Sequence, residues 1–368
     1  MKKNKFVIII LVISLLLMFS GCKKNESADD SKELTTSPSP TSAITVEPTI
    51  TPTIEPSTAP TITPTTAPTL TLEELSMEAY EKFMKNETKV SFDRYMPTNY
   101  MEESLYKAGN EYTLLEVLDI IKVHYLENST SKKIKYIDYD YIDCGKDGVN
   151  ELALRFNGMN IYSRDDDSTL VYIIKYIDGK LSLCYYYETW ARSDSSLNKY
   201  GYYWSGGSGG ASNHYEEYGL LDKAGNWQFI ASIESELDIN QLAWSEELGQ
   251  LTKVAETKGI TGGIELDTIC LDDGNAANSE GADNKECYYT FFIYNDNYEP
   301  VEDANLYTNS IYKEIFDEAS IAFITPEEVS HIISEKEEAV GATAEIKDGA
   351  ELTWKTLDAS MFSDYVDR

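Results

Sequence analysis

Apolar positions follow three rhythms along this chain. Phe6 to Phe19 is an apolar run of fourteen residues with Ser14 its one polar member. Residues 23 to about 72 show no apolar period. From residue 73 to 368, helical spacing and strict alternation take turns, the pattern of a folded domain. Three helices are marked by capping boxes, a threonine cap with an acid three residues on. Thr71-Leu72-Glu73-Glu74 opens a helix over Leu75–Lys85, with Leu75, Ala79 and Phe83 on one face. Thr113-Leu114-Leu115-Glu116 opens another through Tyr125, burying Leu114, Val117, Leu118 and Ile121. Thr325-Pro326-Glu327-Glu328 adds a proline at the first helical position and starts a helix to about Ala339. Fainter helical patterns occupy Asn240–Glu256 and Ser310–Glu318.

Alternation predicts strands between these helices. The first set is Ile134–Ile142, Glu151–Phe156, Leu170–Tyr176, Leu181–Thr189 and Tyr200–Trp204. Asp178-Gly179 supplies a tight hairpin turn within it. Tyr215–Asp222 and Trp227–Ile233 flank a second turn, and Ile264–Leu271 and Cys287–Tyr294 bracket a polar acidic loop. Most of the 27 tyrosines lie in these segments, as expected of half-buried antiparallel sheet. Helices near the ends and strands in the middle predict an α+β fold: an antiparallel β-meander sheet with helices at the N-terminal and C-terminal ends. Strand–helix alternation is absent, which counts against a doubly wound parallel sheet. Residues 73–368 are enough for one large domain or two small ones.

The apolar run changes the picture of where this domain sits. Fourteen helical residues reach only about 21 Å, short of a hydrocarbon core of about 30 Å. Lys2, Lys3 and Lys5 precede the run and small residues follow it, so residues 1–21 read as an export signal. Phe19-Ser20-Gly21-Cys22 resembles the bacterial lipoprotein lipobox, which usually has Leu where this chain has Phe19. The resemblance implies cleavage before Cys22 and a diacylglyceryl thioether on its sulfur. It also implies a place on the outer, extracytoplasmic face of a cell membrane, on a Gram-positive cell surface. An ordinary secretory signal with an incidental cysteine is the alternative.

Residues 22–72 then read as a lipidated cysteine and a Thr/Pro-rich linker. Eight of the eleven prolines fall between Pro38 and Pro68. Proline fixes φ and removes donors, so a solvated, extended coil is expected. Fifty such residues reach on the order of 150 Å at about 3.1 Å each. That length suits a stalk, or equally a spacer of unselected length. The chain carries 31 Lys+Arg against 63 Asp+Glu, a net charge of −32. Such a balance excludes a broad nucleic-acid footprint and argues against adsorption to anionic lipid, so membrane attachment is expected to rest on the N-terminal lipid.

One loop stands out: Asp143-Cys144-Gly145-Lys146-Asp147-Gly148-Val149-Asn150-Glu151. It resembles the D-x-D-x-D-G-x-x-[DE] loop that binds calcium in several extracellular modules. A hard cation wants six to eight oxygens, and a glycine at the sixth position permits the turn that gathers them. Asp143, Asp147 and Glu151 supply carboxylates and Val149 a carbonyl. Gly145 stands where a further acid belongs, and Lys146 adds a positive charge. Bound Ca2+ is one expectation; a tight turn held by side-chain-to-backbone hydrogen bonds is the other. The order of elements resembles a family of clostridial (Firmicutes) lipoproteins of unknown function. The matching stretches are Tyr139–Leu152, Val171–Leu183 and Gly206–Tyr218, with Ser310–Ile333 resembling their C-terminal part. The resemblance implies an anchored extracytoplasmic protein and brings no established activity.

Other chemistry is sparser. Gly206-Gly207-Ser208-Gly209-Gly210 fits G-x-S-x-G, but a nucleophile elbow needs a helix directly after the serine, and a turn between strands is expected instead. His124, His214 and His331 are scattered, with His124 and His331 on helices and His214 in a loop, and none has a zinc spacing. An exported chain permits disulfides. Cys270–Cys287 is the expected bond, while Cys144 and Cys184 read as small core residues. Trp190, Tyr202, Tyr203, Trp204 and Trp227, with nearby acids, are either core or a platform for sugar stacking. The expected function is a non-enzymatic binding or interaction module, with cell-wall glycan or an envelope protein as partner. A hydrolase using Ser208 or a carboxylate pair is the alternative, and no residue is assigned a catalytic role.

Overall fold

Seven strands make one sheet and six make a second, and a shared apolar layer joins them face to face. The computed structural model describes residues 70–94, 109–126, 132–159, 168–237, 239, 246–260, 262–272, 286–295, 297, 299–303 and 305–367. The export signal, Cys22 and the linker before residue 70 lie outside the described residues. Residues 66–368 form one compact unit.

Sheet 1 has the order β13-β3-β4-β5-β6-β1-β2. Its strands are β1 (Val90–Ser91), β2 (Glu111–Tyr112), β3 (Tyr136–Ile142), β4 (Glu151–Asn157), β5 (Thr169–Ile177), β6 (Lys180–Thr189) and β13 (Lys355–Thr356). All pairings are antiparallel except β1 on β6. Sheet 2 has the order β12-β11-β10-β9-β8-β7 and is antiparallel throughout. It contains β7 (Ser193–Leu197), β8 (Tyr202–Ser208), β9 (Asn213–Leu221), β10 (Trp227–Glu236), β11 (Ile264–Cys270) and β12 (Cys287–Ile293).

Alternation decides what each face buries. Along β5, Leu170, Tyr172 and Ile174 face the core beneath helices α1 (Leu72–Met84) and α2 (Leu114–Ile121). Val171 and Ile173 face the opposite way, into the layer shared with Leu197, Tyr203 and Leu221 of sheet 2. On its far side, sheet 2 is partly roofed by α5 (Pro326–Val340), which lays Val329 against Leu220, Ile230 and Ile269. Helices α3 (Glu246–Thr257) and α4 (Ile311–Ala319) close a separate core with Leu266, Phe291 and Ile293. A short α6 (Ala344–Lys347) precedes β13.

The α+β expectation holds, with two changes. The strands divide between two sheets, and the helix expected from the Asn240–Glu256 pattern, α3, stands between β10 and β11, away from the ends of the domain. All three capping boxes form, each threonine accepting the backbone N–H three residues on. Among the described residues no helix is long and apolar enough to cross a membrane.

Candidate functional site

The open half of the outer face of sheet 2 is the most site-like surface among the described residues. Strand register builds it. One transverse row, read across β8 to β12, is Ser208, His214, Ser235, Asp267 and Thr290. The next row, from β7 to β9, is Asp194, Gly206 and Glu216, and the one beyond is Ser196, Trp204 and Tyr218. Toward α5 the face becomes apolar and covered; at this end it stays polar, open over β7 to β9 and closed over Asp267 and Thr290, which are buried.

A shallow groove of ≈ 430 Å³ runs here, lined by Arg192, Asp194, Trp204, His214, Tyr215 and Glu216. Gly206 shapes it. A Cβ on Gly206 would sit 2.7 Å from the Trp204 ring, so the missing side chain lets the indole lie across the strand. The Arg192 guanidinium donates to the Ser208 hydroxyl at 3.1 Å. The Tyr218 hydroxyl donates to the Glu216 carboxylate at 2.5 Å. A flat ring beside fixed hydrogen-bonding groups suits a ligand with an apolar face and polar edges.

The five aromatic residues of the expected sugar platform therefore part company. Tyr203 is 4 % exposed between the sheets, and Trp227 stacks on Tyr185 there, centroids 4.1 Å apart at 8°. Tyr202 packs under α5 and donates its hydroxyl to Glu337 at 2.8 Å. Trp204 lines the groove, and Trp190, 44 % exposed, immediately precedes the lining residue Ala191. Alternation explains the split, because neighbours in a strand face opposite sides.

His214 lies in β9, not in a loop, because β8 continues through Gly206, Gly207 and Ser208. Ser208 stands opposite His214, yet its hydroxyl donates to the Gly210 carbonyl at 2.5 Å. The segment after it is a hairpin into β9, so the strand–serine–helix arrangement of an elbow is not formed. His331 sits exposed on α5 beside Glu335.

The aspartate loop joins β3 to β4. Both Asp143 oxygens accept the Gly148 N–H, at 3.0 and 3.2 Å, and Asp147 accepts the Val149 N–H at 2.9 Å. From α1, Glu73 accepts both the Asn150 N–H and its side-chain amide. Gly145 is required on two grounds: φ is +71°, and a Cβ would meet the Lys223 backbone nitrogen at 2.8 Å. Glu151 turns away from Asp143, into the layer between the sheets. It is fully buried, accepts the Cys144 N–H at 2.8 Å and pairs with Lys175 from β5. Burial pushes the Glu151 carboxyl up, while Lys175 and the Cys144 amide pull it back. Burial lowers the Lys175 amine, but Glu151 prevails and holds it raised. Lys175 thus sets a positive charge beside Glu151 and within the field of Asp147. Among the described residues no three His, Cys, Asp or Glu side chains form a metal-holding group.

Cys270 and Cys287 are disulfide-bonded at the paired ends of β11 and β12. Cys144 and Cys184 are free thiols, and burial pushes both up, Cys184 to about 11. Arg94 and Lys175 pull the Cys184 thiol back down and Lys175 does so for Cys144, but burial outweighs them, so neither thiol is poised as a thiolate.

Compared with known proteins, the chain matches no family model, no curated protein and no solved structure.

Proposed function

We propose that this chain is a lipid-anchored extracytoplasmic surface protein whose domain binds glycan in the groove on sheet 2. The leader ending at Cys22 supports the anchor, and the Pro-rich segment supports a domain held off the membrane. One observation carries the binding reading: the Trp204 ring reaches over Gly206, between Arg192 and Asp194 on one side and His214 and Glu216 on the other. A sugar ring offers C–H faces to an indole and hydroxyls to such groups. The aromatic side chains buried between the sheets are core and contribute nothing to this surface.

The direct test is affinity electrophoresis of the full-length chain through gels containing cell-wall polysaccharide. Retardation that disappears in Trp204→Ala but persists in Trp190→Ala supports the groove. Equal mobility with and without polysaccharide overturns it. Mass spectrometry of protein from membranes tests the anchor: a free sulfhydryl at residue 22, or an intact leader, rejects it.

A further inference from the structure

Five carboxylates are buried among the described residues: Asp138, Asp140, Glu151, Asp267 and Glu337. Four face a cation, respectively Arg155, Lys199, Lys175 and Lys347. Asp267 faces none. Its neighbours are the Ser235 hydroxyl and the Glu265 carboxyl, with Glu216 adding negative field from β9. Glu265 also meets the Tyr294 hydroxyl. Directly across from Asp267 stands Thr290, 1 % exposed. Asp267 Oδ1 and Thr290 Oγ1 are both buried without a hydrogen-bond partner.

A buried polar atom with no partner is costly, and a buried charge more so. Here two such atoms occur on cross-strand partners, beside a second carboxylate. We propose that Asp267, Glu265, Ser235 and Thr290 form a site for a hard divalent cation, calcium above all. Every donor is oxygen, with no nitrogen or sulfur to favour zinc or copper. A cation can engage the Asp267 and Thr290 oxygens together, whereas one proton on Asp267 leaves the Thr290 lone pairs unmet. Two carboxylates with neutral oxygens make a low-charge site, and water fills the remaining positions from the half-exposed Glu265 side. Low charge count places affinity in the range of extracellular modules, about 0.1–1 mM. This site is separate from the Asp143–Glu151 loop, where Lys175 already supplies a positive charge.

The test is thermal melting of the full-length chain, stripped with chelator and returned to millimolar CaCl2. Wild type should melt higher with calcium than without, since an ion bound only by the native state stabilises it. Asp267→Asn should abolish the rise, Thr290→Val should shift half-saturation several-fold upward, and Asp147→Asn should leave the rise intact. Thr290→Val keeps the shape of its residue and every carboxylate, so it tests the site independently of any folding loss in Asp267→Asn. Titration calorimetry should give one calcium per chain and weaker heat with magnesium. A wild type indifferent to calcium overturns the proposal and leaves a carboxyl pair that holds only a proton. A rise lost in Asp147→Asn but kept in Asp267→Asn overturns it in favour of the aspartate loop.

Discussion

On sheet 1, Asp138, Asp140 and Glu151 are as buried as any carboxylate in the described structure, and each meets a lysine or arginine. Hydrogen bonds complete the set: Thr356 and Asn157 donate to Asp138, the Thr353 N–H to Asp140, and the Cys144 N–H to Glu151. On sheet 2, Asp267 meets another carboxyl and hydroxyls instead. The contrast separates two uses of a buried acid. Where the protein supplies its own counter-charge, the group fixes how the strands and loops pack. Where it does not, the group waits for a proton or an ion.

Removing the internal cation is the harshest way to break this comparison. Lys175→Met leaves Glu151 in a dry layer without its cation, where it must take up a proton or stay unpaired, and should cost about 3–5 kcal/mol by urea denaturation. Restoring neutrality with Glu151→Gln in the same chain should recover much of that loss. If Lys175→Met is silent, the pair does not hold the sheets together.

Reducing the disulfide comes next. Cys270 and Cys287 are 17 residues apart, so losing the cross-link should cost about 3 kcal/mol by the loop-closure argument. The loss should appear as a lower melting temperature in Cys270→Ser/Cys287→Ser.

Asp267 should respond with the opposite sign to Lys175. Burial first, then Glu265 and Glu216, push its carboxyl up to about 7. The ordinary unfolded value is about 3.9. The native state therefore keeps a proton that the unfolded chain has lost between those values. Stability is highest below about pH 4, falls as pH rises toward 7, and levels off above. Three pH units correspond to at most about 4 kcal/mol, and Asp267→Asn should regain part of it at pH 8 but nothing at pH 4. Melts in chelator at the two pH values measure the difference. An asparagine chain no more stable at pH 8 would show that Asp267 ionises without penalty.

The smallest effect sharpens the boundary of the comparison. Thr325→Ala removes the cap of α5, which roofs the apolar half of sheet 2, and should cost about 1 kcal/mol. Polysaccharide binding at the uncovered half should be unchanged, because no groove residue touches that cap. Parallel loss of both would mean that the groove depends on the roof.

Local signals were legible in the sequence. Thr71, Thr113 and Thr325 lie three residues from the glutamates that complete their caps, so everything needed is within one turn. The alternation of β5 likewise shows in its own residues. Division into two sheets was not legible, because it depends on which strands pair, and β1 pairs with β6 across some ninety residues of chain. Site chemistry suffered most from this. The loop motif shows Asp143, Asp147 and Glu151, but the lysine beside Glu151 comes from a different strand and reads as an ordinary exposed strand residue. Asp267 was hidden by abundance: with 63 acidic residues, none stands out until burial and register single one out. The Gly206–Trp204 contact left a readable trace, a glycine two positions after a tryptophan in a strand, where i and i+2 share a face.

Sheet 1 takes its edges from both flanks of the domain. Its β13 edge pairs with β3, and beyond it Val366 bridges Ile134 while the Asp367 N–H donates to the Ile134 carbonyl. A polypeptide released N-terminus first, from ribosome or translocation pore, therefore exposes β3 with one side unmatched until some two hundred further residues have emerged. Until those residues arrive, the β3 edge keeps its backbone donors and acceptors open, and any extended segment that reaches it first can pair there.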